Sequence, residues 1–158
     1  MSEFDFLQLQ DTFNTGKNTS RVGKIGEDFA ARFLVRRGFR LVCSNFKVPI
    51  GRNRRGVAVT GEIDLIALDE NTLCFIEVKT RSSDEFASPL AAIDLRKQRQ
   101  ITRTAKIYRK IFGLQNTNFR YDAVSIVLEN QKPPKIEIFK GFWNENKFRK
   151  KVWHNEIW

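Results

Sequence analysis

Histidine occurs once in this 158-residue chain, at His154, and cysteine twice, at Cys43 and Cys74. A zinc site needs several such ligands at short spacing, so neither a structural nor a catalytic zinc is expected. Each thiol sits inside an apolar, strand-like run, and two of them make no disulfide framework; both read as reduced core residues. No apolar run approaches the roughly 20 residues that span a bilayer. The first residues, MSEFDFLQLQ, carry two acids and neither a basic leader nor a long apolar stretch, so no secretion signal is expected. The expectation is a cytoplasmic protein with no membrane contact. Acids are also in short supply: 18 Asp and Glu stand against 28 Lys and Arg, leaving a formal net charge of +10 and a pI near 10.0. Such an excess attracts polyanions, and nucleic acid is the leading partner class.

What is present suits one folded domain: 41% hydrophobic and 29% charged residues, with no internal repeat and no low-complexity segment. Residues 1–20 end in the polar NTGKNTS and read as a flexible arm. Residues 21–142 form the domain, and 143–158 are an aromatic and basic tail whose expected fate is a helix packed on it. Thr19 or Ser20 should cap a helix over Arg21–Arg37, stopped by Gly38, with Val22, Ile25, Phe29, Phe33 and Leu34 on its buried side. Strands are expected at Phe39–Asn45, Glu62–Leu68, Thr72–Thr80, Phe119–Leu128 and Lys135–Lys140, with LDEN as a tight hairpin turn and a helix over Pro89–Phe112. The order αβββαββ predicts an α/β or α+β domain, a mixed sheet flanked by helices.

Alternation places Glu62, Asp64, Ile66 and Leu68 on one face of their strand, and Leu73, Phe75, Glu77 and Lys79 on one face of the next. If the two strands pair as a hairpin, Asp64 comes beside Glu77 and Lys79. Two converging carboxylates with a lysine suit a divalent cation held by hard oxygens, and with it hydrolysis of phosphodiesters. Ordinary cross-strand charge pairs at a solvated strand end are the plainer alternative. Glu27 sits at the edge of the apolar side of the first helix, where a first-turn acid is also favoured by the helix dipole.

On the second helix Ile101, Ala105, Tyr108 and Phe112 form the expected buried stripe. Arg96, Arg99, Arg103, Lys106 and Lys110 fall on the opposite side, an arrangement that suits contact with phosphates as well as with water. Lys97 and Gln98 break the pattern and could reach into a site. Lys47–Thr60, KVPIGRNRRGVAVT, holds four positive charges, including Arg52, Arg54 and Arg55, and no acid. Trp143, Phe148, Trp153 and Trp158 of the tail could stack on bases, although burial is the commoner fate of such aromatics.

GKIGEDFAARFLVRRGF, GEIDLIA, FIEVKTRSS, KQRQITRTAKIY and FRYDAVSIV, in that order, resemble the bacterial YraN family of the PD-(D/E)XK nuclease superfamily, over roughly Gly23–Leu128. The resemblance implies a restriction-endonuclease-like fold and a site dependent on Mg2+ or Mn2+. Asp64 and Glu77 would bind metal and Lys79 would be the catalytic lysine; Glu27 would complete the site as in the related archaeal Holliday-junction resolvases, and Gln98 would match a helical glutamine near it. Nucleic acid, with DNA first and branched or irregular structures among its forms, would meet the loop and helix arginines and lysines together with Lys97 and Arg81. A homodimer is the simplest arrangement for cutting two strands symmetrically. Ile63 stands where the superfamily has proline, and the link Asn45–Gly61 is longer than typical, so its Arg-rich tip should either touch nucleic acid or be a disordered hairpin.

Overall fold

The computed structural model describes residues 19–82, 88–129 and 132–149. Helix α1 (Thr19–Arg36) is followed by strands β1 (Arg40–Arg52), β2 (Ala58–Asp69) and β3 (Thr72–Ser82), helix α2 (Leu95–Ile111), and strands β4 (Phe119–Leu128) and β5 (Lys135–Trp143). The five strands lie in sequence order in one sheet, antiparallel except for the parallel β3–β4 pair. This is the mixed α+β architecture that the element order predicts, a five-stranded mixed sheet with two helices.

Each helix covers one face of the sheet, because strand alternation divides the apolar residues between two cores. Phe29, Ala30 and Leu34 of α1 pack on Leu65, Ala67, Cys74, Ile76 and Val78. Ile101, Ala105 and Tyr108 of α2 pack on Ile66, Leu73, Phe75 and Tyr121 on the other face. Helix α1 ends at Gly38, whose φ of 91° suits glycine, while Phe39 N–H reaches back to the carbonyl of Leu34. The helix already contains Thr19 and Ser20, so its cap lies outside the described residues, and Glu27, well past the first turn, is not the first-turn acid expected there.

Three expectations change. The helix expected over Pro89–Phe112 is divided: Pro89–Ala92 is a short 3-10 turn, and Asp94 then caps α2 by accepting a 2.8 Å bond from Lys97 N–H. Phe112 falls just past the helix and is exposed, so the buried stripe stops at Tyr108. The sheet also runs through Trp143, which is buried and stacks on Tyr121 at 4.9 Å, one residue beyond the expected domain limit. The tail that follows turns as a 3-10 helix, Glu145–Phe148; Trp153, His154 and Trp158 lie outside the described residues.

The Arg-rich link is a fourth difference. β1 and β2 stay paired out to Arg52 with Ala58, whereas β2 meets β3 only from Leu65 to Asp69. The outer halves of β1 and β2 therefore form an ordered two-stranded ribbon beyond the sheet, in place of a disordered hairpin. Its β-branched residues, Val48, Ile50, Val57 and Val59, favour extended backbone, and Asn53 closes the tip by accepting bonds from Arg55 N–H and Val57 N–H.

Helix α2 braces this ribbon. Arg103 donates to the carbonyl of Ile50 at 2.7 Å and Gln100 to that of Thr60 at 3.2 Å. Gly61 lets the helix approach closely, since a Cβ there would lie 2.0 Å from Thr104 Oγ1 and 2.7 Å from Ile50 Cγ2. Gly61→Ala should therefore cost about 1–3 kcal/mol by overpacking. A thermal melt shows it as a fall of several degrees; an unchanged midpoint would refute the close approach.

Candidate functional site

The β2–β3 ladder is regular from Asp69 with Thr72 to Leu65 with Ile76. Continuing that register sets Asp64 against Glu77. There Asp64 Oδ2 accepts a 2.8 Å bond from Val78 N–H, so a side chain takes the place of a ladder carbonyl just where the two strands part. Both carboxylates are buried, Glu77 completely.

Lys79, two residues along the strand from Glu77, brings Nζ to 2.7 Å from Glu77 Oε1. Lys97, in the first turn of α2, brings Nζ to 3.3 Å from the same oxygen. Neither contact has the direction of a hydrogen bond, and both oxygens of Glu77 remain without a hydrogen-bond partner. The two ammoniums are therefore ion-pair partners of Glu77 Oε1 that balance its charge without hydrogen-bonding it. A fully buried carboxylate whose oxygens lack hydrogen-bond donors is costly even when a charge lies beside it.

Burial pushes the Asp64 carboxyl up to about 8, the charge of Glu77 adds to the rise, and the bond from Val78 N–H opposes it. Burial likewise raises the Glu27 carboxyl, against a hydrogen bond with Asn45, and the charges of Glu62, Asp28 and Glu77 add to the rise. Asn45 has a left-handed φ of 54° and lies level with Asp64, between the pairs Ser44 with Leu65 and Phe46 with Ile63.

An acid whose folded pKa lies above its unfolded value of about 3.9 lowers stability as pH rises through that interval, because the unfolded chain loses its proton first. In chelator, the melting temperature should therefore fall between about pH 4 and pH 8. Asp64→Asn should remove part of that fall. Identical pH profiles for the two proteins would rule out a protonated buried Asp64.

The structure thus brings Asp64, Glu77, Lys79 and Lys97 together. Glu27 lies within electrostatic range of Asp64 and Glu77, but it is carried by the helix on the other face of the sheet. Among the described residues no three of His, Cys, Asp and Glu gather into a group that could hold a metal ion. Gln98 is buried and engaged elsewhere: Nε2 donates to the carbonyl of Ile93, and Lys147 of the 3-10 tail donates to Oε1. Arg96, Arg99, Arg103, Lys106 and Lys110 are all exposed, as are Arg52, Arg54 and Arg55 on the ribbon. Arg52 also bonds the carbonyl of Gly56 across the tip, and Arg81 is half-buried.

The sequence profile described as "Uncharacterised protein family UPF0102" matches residues 26–126. The chain belongs to the UPF0102 family. A UPF0102 protein of Dictyoglomus turgidum is 37% identical over 131 residues, 83% of this chain and 99% of that one. One from Solibacter usitatus is 40% identical over 119 residues, covering 75% and 83%, and one from Desulfosudis oleivorans is 36% identical over 124, covering 78% and 90%. A solved structure titled "Crystal structure of SSO0001" aligns with 92% of this chain and 62% of that one at 15% identity and a TM-score of 0.36, too distant to carry an argument.

The UPF0102 match contains Glu27, Asp64, Glu77, Lys79, Lys97 and Gln98, and it stops before β5 and the tail. Lys97 was legible as a residue turned away from the basic face, but its partner was not, because α2 reaches β3 only through packing. No local pattern marked Arg109, which is buried over the Phe119 ring at 3.7 Å and paired with Glu145 at 3.0 Å. Among the described residues no helix is long and apolar enough to cross a membrane.

Proposed function

We propose that this UPF0102 protein is a metal-dependent endonuclease of the PD-(D/E)XK superfamily, hydrolysing phosphodiester bonds in DNA, with branched or irregular structures among its substrates. The observation that carries this reading is the buried Glu77, ion-paired with two lysines but without a hydrogen-bond partner among the described residues, set against the buried Asp64 where β2 and β3 part. Hard carboxylate oxygens short of partners fit Mg2+ or Mn2+. Asp64 and Glu77 would hold the ion, with Glu27 as a third acid, and the ion would supply a bound water of lowered pKa and neutralise charge on the phosphate. Lys79 would orient a water or balance negative charge beside Glu77, and Lys97 approaches the same carboxylate from α2. Exposed cations on α2 and the ribbon would hold the polyanion. Purified protein incubated with duplex, single-stranded and four-way DNA should cleave at least one of them in Mg2+ or Mn2+ and none in chelator; no cleavage anywhere would sink the reading.

A second reading, a non-catalytic nucleic-acid-binding accessory protein with the same fold, is favoured by the want of a three-acid group among the described residues. It differs in one measurable respect. Binding would be unchanged in Asp64→Asn and would weaken steeply with salt, while the wild type would cut nothing.

A further inference from the structure

The bracing of the ribbon on α2 leaves a groove of about 200 Å3 between them, lined by Ile50, Val59, Arg96, Arg99, Gln100 and Arg103. Among the described residues three guanidiniums meet there and no acid does. Like charges gathered on one wall repel one another, so the arrangement gains most when an anion lies among them.

The three arginines are not equivalent. Arg103 is committed to the carbonyl of Ile50, and Arg99 lies 5.4 Å from the centre of the Phe148 ring. Arg96 makes no hydrogen bond, ion pair or ring contact among the described residues. Among the described residues Arg96 and Arg99 therefore keep donors free for a ligand. The floor has a different character: Ile50 is buried and Val59 half-buried, an apolar base beneath a cationic rim. Gln100 spends its amide N–H on Thr60 and keeps an amide oxygen as acceptor.

We infer that this groove seats one unstacked nucleotide of a single nucleic-acid strand, its phosphate against Arg96 and Arg99 and its base or sugar on Ile50 and Val59. Its volume is below the roughly 300–1,000 Å3 of pockets that enclose a whole small ligand, and it suits one residue of a longer chain. Guanidinium planes and apolar floors receive unstacked bases, whereas the backbone of an intact duplex offers only phosphates and sugar edges. The groove shares the first turn of α2 with the candidate site, since Lys97, beside Arg96, reaches Glu77. A strand lying in the groove would thus run on toward Asp64 and Glu77. This inference rests on the nucleic-acid part of the proposed function and not on turnover.

The test is binding of a labelled single-stranded oligonucleotide and of the matching blunt duplex, in EDTA, across a range of salt. Wild-type protein should prefer the single strand. Arg96→Ser with Arg99→Ser, both at exposed positions, should weaken single-strand binding about tenfold and make the salt slope shallower by about 0.7 for each arginine removed. Val59→Arg separates the groove from simple charge attraction, because it adds a cation while filling the floor. It should weaken single-strand binding about fivefold, the lower end of what one seated base contributes. Tighter binding by Val59→Arg, equal affinity of the wild type for duplex and single strand, or no change in the double variant would each overturn the inference. If these binding results hold while no DNA is cut in Mg2+ or Mn2+, the groove stands and the nuclease reading fails.

Discussion

Glu77→Gln and Asp64→Asn should each lower metal-dependent DNA cleavage about a thousandfold or more, with the folded protein retained. The magnitude follows from losing a ligand to an ion that contributes several kcal/mol of transition-state stabilisation, where about 1.4 kcal/mol is a factor of ten. The amide variants are better probes than alanine for a structural reason. Asp64 accepts a bond from Val78 N–H at the point where the strands part, and asparagine keeps an oxygen for it. Glu77 is fully buried and ion-paired with Lys79 and Lys97, and replacing a buried ion by a neutral group of the same shape removes the desolvation cost together with the pairs. Metal-free Glu77→Gln should therefore melt no lower than the wild type while its activity is gone. The two lysines it leaves behind are each more than a quarter exposed and can turn to water. Cleavage within tenfold of wild type in either variant, measured on the same substrate and metal, would remove Asp64 and Glu77 from the chemistry.

Glu145→Ala should lower stability by about 3 kcal/mol, with a fall of roughly 6–12 °C in melting temperature for a chain of this size. Glu145 Oε2 accepts from Arg109 and from Tyr121 O–H, both at 3.0 Å. Arg109 is itself buried, its guanidinium over the Phe119 ring, and its Nε has no partner. Removing the carboxylate strands a cation in the interior and takes away the acceptor of the tyrosine hydroxyl. Such a loss is at the lower end of the range for broken buried pairs, because about a tenth of each side chain still meets solvent. Glu145→Gln, which keeps an acceptor, should cost less. If Glu145→Ala melts within a degree or two of wild type, the tail is not anchored by this pair.

That anchor explains why the tail was poorly legible. An aromatic and basic run is compatible with stacking on bases or with burial, and composition does not separate them. Packing does: Trp143 ends β5, stacks on Tyr121 and donates to Thr102 Oγ1 of α2 at 3.0 Å. The second core thereby reaches past the fifth strand, and Lys147 follows it to meet Gln98 at the first turn of α2.

The sequence by itself determined the order of the elements, the β2–β3 hairpin, the sharing of faces by Asp64 with Ile66 and by Glu77 with Lys79, and the exposed cationic side of α2. These follow from periods of two and 3.6 residues, which neighbouring positions encode without help from the rest of the chain. Only the tertiary structure decided that the Arg-rich link is a braced ribbon, that Lys97 reaches Glu77 from another element, that Glu27 lies on the helix of the opposite face, and that Gln98 is held by Ile93 and Lys147. Each of these depends on how closely two elements distant in sequence approach. That distance is set by the volumes packed between them, as where Gly61 admits Thr104, and no local pattern records it.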